Sequence, residues 1–78
     1  MIFSNNPKEI IKITEEKYGL QEGTLISKIR TKGVVRARAE VARCMHEKGF
    51  STTEIGNKLN RDHTTIINLL RKFRSGNY

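Results

Sequence analysis

Seventy-eight residues carry 15 Lys and Arg against 8 Asp and Glu, a formal net charge of +7 and a pI near 10.0. A chain of this length makes one domain with a small core and little room for a catalytic cleft, and its charge suits a polyanionic partner. The single cysteine excludes an internal disulfide and fits a reducing compartment.

No stretch is long and apolar enough to span a membrane, and residues 1–7 lack the charged and apolar regions of a signal peptide. The expected location is therefore the cytoplasm, with no membrane partner. The pattern reads as all-α: a small five-helix domain ending in a helix-turn-helix at 51–74.

The first helix is predicted over 7–18. Asn6 suits the N-cap, Pro7 the first helical position, and Glu9 the positive end of the dipole. Ile10, Ile11, Thr14 and Tyr18 share one side, and Gly19 ends the helix. A short second helix is predicted over 21–27, anchored by Leu20, Leu25 and Ile29 and weakened by Gly23. The basic loop Lys28-Ile29-Arg30-Thr31-Lys32-Gly33 follows. Its cations can reach a phosphate backbone or a minor groove, or form a solvated connector.

The third helix is predicted over 34–48 and ends at Gly49. Val34, Val41, Cys44 and Met45 recur at helical spacing, with Arg36, Glu40, Arg43 and Glu47 mostly opposite. Cys44 reads as a buried structural thiol. The fourth helix, 52–59, opens with Ser51-Thr52-Thr53-Glu54, the form of a capping box. Ile55 and Leu59 face the core. An interior glycine such as Gly56 costs about 1 kcal/mol against alanine, which close approach of a neighbouring helix would explain.

A short turn at Asn60-Arg61 leads to the fifth helix, 62–74. On a wheel of about 100° per residue, Ile66, Leu69, Leu70 and Phe73 share one side. Thr64, Ile67, Asn68 and Arg71 share the other, flanked by His63 and Thr65. The polar end Ser75-Gly76-Asn77-Tyr78 is expected to fray.

The run Arg61-Asp62-His63-Thr64-Thr65 carries the function. Every side chain in it donates or accepts a hydrogen bond, and none builds a core. At the start of the second helix of a helix-turn-helix, such residues suit base edges in the major groove. Arg71, Lys72 and Arg74 follow as phosphate-holding cations. Ile67 is apolar on an outward face, as either a partly covered rim residue or a contact for a thymine methyl.

From Ile10 onward the chain resembles the C-terminal DNA-binding domain, domain IV, of the bacterial replication initiator DnaA. The sharpest match is Arg61-Asp62-His63-Thr64-Thr65-Ile66, the family signature opening the recognition helix. Glu54-Ile55-Gly56, Ser27-Lys28-Ile29-Arg30 and Arg36-Ala37-Arg38 match the preceding helix, the basic loop and the central helix. The resemblance implies a Trp-repressor-like fold and a short asymmetric site of the TTATNCACA type, read by a monomer. It implies base contacts from Asp62, His63, Thr64 and Thr65, to which Ile67 and Asn68 on the same face add two more. It implies that Arg30 enters the minor groove and that Arg38 and Arg61 hold phosphates. Lys28, Lys32, Thr52, Thr53 and Arg71 are further expected phosphate contacts.

The chain also departs from the family's pattern. Asn60 replaces a glycine pair, Thr53 a proline, Ala39 a glutamine and Ile29 a frequent arginine, and Ile67-Asn68-Leu69 stands for the more usual Leu-His-Ala. The initiator's Gly-x-x-x-x-Gly-Lys-Ser/Thr phosphate loop is absent from this sequence, so no nucleotide and no cofactor is expected. Met1 followed by the unpatterned Ile2-Phe3-Ser4-Asn5 favours a free-standing protein over an excised domain.

Cys44 and His46 point in different directions on one helix, which does not make a metal site. Asp62 and His63 are adjacent on a helix and have no nucleophile or cleft, so no enzyme activity is expected. The expected function is sequence-specific duplex binding, as a regulator or as a competitor of the host initiator at its sites. Two alternatives use the same basic face. One is an RNA binder, although no aromatic stacking platform is evident; the other is a module that binds a replication protein.

Overall fold

The computed structural model of the chain describes residues 6–73. Four helices occur in the described residues: α1 Pro7–Lys17, α2 Lys32–Glu47, α3 Thr52–Leu59 and α4 His63–Phe73. The side chain of Phe73, together with Arg74 and the polar end, lies outside the described part.

The capping signals act as expected. Asn6 Oδ1 accepts from the Lys8 amide at 3.0 Å, and Pro7 opens α1. Ser51 Oγ accepts from the Glu54 amide at 3.1 Å while Glu54 Oε1 accepts from the Ser51 amide at 3.0 Å, completing the capping box. The helix α1 places Ile10 and Thr14 in the core, with Ile11 and Tyr18 half-buried. Lys17 Nζ meets Glu40 Oε1 at 2.9 Å and ties α1 to α2.

The central helix is α2, which packs against the other three. Val34, Ala37, Ala39, Val41, Ala42 and Met45 are buried along it, and the alanines let its neighbours approach closely. The helix begins at Lys32 rather than Val34, so the basic loop is shorter than its sequence suggested. Gly33 falls in the first turn, where helical N–H groups have no intrahelical partner and a poor helix former costs least. Cys44 is half-buried, less enclosed than expected, and burial raises its thiol pKa.

The expected helix over 21–27 does not form, so the described count is four and not five. Two successive turns replace it: the Thr24 amide donates to Gln21 O at 3.1 Å and the Ser27 amide to Thr24 O at 3.1 Å. Gly23 adopts φ +89°, outside any right-handed helix. Glu15 Oε2 takes the amides of Gly23 at 2.9 Å and Leu25 at 3.2 Å; in a helix begun at Gln21 the Leu25 amide would go to the Gln21 carbonyl, and that of Gly23 would have no helical partner. Leu25 is buried as an anchor, whereas the expected anchor Ile29 is 47% exposed.

Gly56 answers to the turn that follows α3, not to a neighbouring helix. A Cβ there would lie 2.5 Å from the carbonyl oxygen of Arg61 and 3.4 Å from the amide nitrogen of His63. Gly56 O accepts from the Arg61 amide at 2.8 Å, closing α3 in a Schellman-type ending. Asn60 supplies the left-handed residue this ending needs, at φ 56° and ψ 47°. Asparagine tolerates that conformation better than other non-glycine residues.

Gly56→Ala is expected to destabilise the domain by about 1–3 kcal/mol in urea unfolding, because overpacking against rigid backbone exceeds the gain of about 1 kcal/mol in helix propensity. Equal or greater stability would show that the turn can move aside.

Candidate nucleic-acid interface

Asp62 caps α4. Its Oδ1 accepts from the Thr64 amide at 2.9 Å and lies 3.2 Å from His63 Nδ1. The backbone bond from Thr64 is the main reason its carboxyl pKa falls below the ordinary value. Asp62 is therefore an anion at neutral pH, able to accept from a cytosine amine.

His63, Thr64 and Thr65 are exposed on the first turn of α4, and Ile67, Asn68 and Arg71 continue the exposed face. Ile66 and Leu69 are buried on the opposite side, and Leu70 is half-buried. The wheel drawn from the sequence thus matches the described side chains. Ile67 is 38% exposed, an apolar patch on an otherwise polar face.

Two grooves flank this helix. One is lined by Lys28, Arg30, Arg38, Arg61 and Thr65, with Leu69 in its wall. It brings the basic loop beside the start of α4, although more than thirty residues separate them in sequence. The other runs between α2 and α4 and joins Thr52 to Ile67 and Arg71. Thr53 is exposed on α3 and lines neither groove. Lys28, Arg30 and Lys32 are all exposed. Lys32 sits in the first turn of α2, which holds no acidic residue. Its charge there opposes the helix dipole, and an incoming phosphate would relieve that.

Arg38 departs from expectation. Its side chain is only 3% exposed. Its Nε donates to Leu25 O at 2.7 Å, and its Nη2 to Ser27 O at 2.6 Å and Thr24 O at 3.4 Å. These bonds make it an anchor of the 24–27 turns rather than an open phosphate contact. Burial, then the nearby Arg61 and Arg30, lower its pKa to about 10, so it stays charged at neutral pH. Arg61 is half-buried and also turns inward: its Nη1 donates to Asn60 O at 2.8 Å and its Nη2 to Ser27 O.

Glu15 is a residue that sequence reasoning missed. It is 3% exposed and, from α1, holds the segment 23–27, here called the strap. The signal was present in the pattern: Glu15 follows Ile11 by four residues, and Arg38 falls on the stripe of Val34, Val41 and Met45. A charge on an apolar arc requires a buried partner.

Among the described residues no group of three or more His, Cys, Asp and Glu side chains could hold a metal, and no helix is long and apolar enough to cross a membrane.

Comparison with known proteins gives a concordant picture. The family described as the bacterial dnaA protein helix-turn-helix matches residues 7–73. The chromosomal replication initiator protein DnaA of Mycoplasma capricolum subsp. capricolum is 37% identical over 70 residues, which cover 86% of this chain and 15% of that protein. No solved structure matches.

The carboxyl of Glu54, like that of Asp62, is held below its ordinary pKa, here by its bonds with Ser51. A depressed folded-state pKa stabilises the fold above the ordinary value, 4.5 for Glu54, and that contribution is lost as pH falls through the folded value. Thermal melts are expected to hold level above that pH and decline below it, with a shallower decline in Glu54→Gln. An identical acid decline in the variant would assign the loss to other carboxylates.

Proposed function

The chain belongs to the bacterial DnaA helix-turn-helix family, and on that premise we propose that it reads a short duplex DNA site as a monomer. The carrying observation is the groove in which the exposed first turn of α4 and the basic loop lie side by side. A recognition helix in the major groove and an arm in the next minor groove require that neighbourhood.

In this reading α4 enters the major groove with its N-terminus foremost. Asp62, His63, Thr64 and Thr65 face base edges, where the hydroxyls can both donate and accept. Ile67 meets a thymine methyl, and Asn68 adds an amide able to pair with adenine. Arg30 enters the minor groove at the A·T-rich end of a site of the TTATNCACA type. Lys28, Lys32, Thr52, Thr53 and Arg71 lie on phosphates and fix the register without reading sequence.

The chain spans about 15% of the length of the curated relative it matches. The role proposed for it is occupancy: it holds initiator-type sites at the nucleoid, and so competes with the host initiator or regulates a neighbouring promoter. Binding to duplex DNA is the proposed function.

His63→Ala is expected to cost about 1–3 kcal/mol on a TTATCCACA duplex and little on random duplex. Equal losses on both would remove His63 from base readout. Affinity for the same duplex is expected to fall with salt at a log–log slope of about −4 to −6, corresponding to about five or six phosphates. A flat response would contradict nucleic-acid binding and direct attention to a protein partner.

A further inference from the structure

The carbonyl oxygen of Ser27 is the last backbone acceptor before the exposed Lys28-Ile29-Arg30 segment, and two guanidiniums converge on it. One comes from Arg38 on the central helix, and the other from Arg61 in the turn that leads into α4. Arg38 also grips Leu25 O through Nε, so its planar fork holds two carbonyls of the strap at once. Within the same segment, Glu15 accepts the Leu25 amide. The strap is thus fixed from α1, α2 and the helix-turn-helix, and the loop that leaves it starts from a fixed point.

Two like charges on one oxygen repel, and one of them, Arg38, is drawn out of water. Plain surface cations meant only for phosphates would gain more by pointing outward. The inward geometry therefore points to a mechanical role.

We propose that Arg61 and Arg38 are positioning residues that set the distance between the minor-groove arm and the recognition helix, and hence the spacing of the two halves of the DNA site. This rests on the duplex reading proposed above. Arg61 joins the two directly, because it is adjacent in sequence to the cap Asp62 and bonded to the root of the arm. A lysine at either position would keep the charge and lose the fork, since its ammonium is a single point on a flexible stem.

The test uses the full chain and two duplexes: TTATCCACA, and the same site with one base pair inserted after TTAT. The insertion moves the A·T-rich end by about 3.4 Å along the axis. Wild-type protein is expected to lose tenfold or more in affinity on the inserted duplex, about 1.4 kcal/mol. Arg61→Lys is expected to narrow that ratio severalfold, mainly through weaker binding to the uninserted site, with the salt slope unchanged. A wild-type ratio in the variant would overturn the proposal, as would equal losses on both duplexes.

Hydrogen exchange in the free protein gives a readout independent of DNA. The amides of Ser27 and Ile29, which donate to Thr24 O and Ser27 Oγ, are expected to exchange faster in Arg61→Lys while α2 and α4 keep their protection; unchanged exchange there would also overturn the proposal. Arg38→Lys, if folded by circular dichroism, should act the same way, and Arg61→Lys decides the matter if it is not. Failure of wild-type protein to prefer TTATCCACA over a scrambled duplex would refute the DNA reading itself, and the exchange data would still decide whether Arg61 holds the loop.

Discussion

The backbone contact between Gly56 and the turn at Arg61 is the constraint from which the candidate interface follows. With no Cβ at position 56, the Arg61 carbonyl approaches α3 directly, and the Arg61 amide bonds Gly56 O at 2.8 Å. Asn60 turns left-handed to allow this. The chain then leaves α3 in a fixed direction, Asp62 arrives where it can cap the next helix, and Arg61 can reach Ser27 O. A bulkier residue at 56 would disturb the cap, the start of α4 and the loop root together.

A domain of this size has little apolar surface with which to hold a loop. It uses charge instead. Glu15 and Arg38 are nearly fully buried against the 23–27 strap, whose amides and carbonyls satisfy both. Hydrogen bonds with one ionised partner are the stronger kind, and those made here are shielded from water. The outcome is a rigid strap carrying exposed cations at 28 and 30, beside a helix start whose own side chains are polar and exposed. Rigid support beneath exposed donors and acceptors is what base reading requires, because a misplaced hydrogen bond discriminates poorly.

Much of this was legible in the residues. Asn6-Pro7 and Ser51 to Glu54 are local signals with a direct physical meaning, and both caps form. The outward and inward faces of α4 follow from spacing alone. What spacing could not show was competition across the sequence. Residues 21–27 contain enough helix formers to suggest a turn or two of helix, but a carboxylate from α1 takes two of their amides. Arg38 reads as a surface cation until its burial against the strap is seen. The need for Gly56 was visible, yet its cause lay in a turn backbone that no periodicity describes.

The function proposed for the exposed start of α4 is sequence-specific recognition of duplex DNA. The most direct test is the affinity of the whole chain for a TTATCCACA duplex beside a scrambled duplex of equal composition, at the same moderate salt. A preference of tenfold or more, about 1.4 kcal/mol, is the expected result. Equal affinity for the two, however tight, would contradict base reading by α4, and no binding to either would contradict a nucleic-acid function altogether.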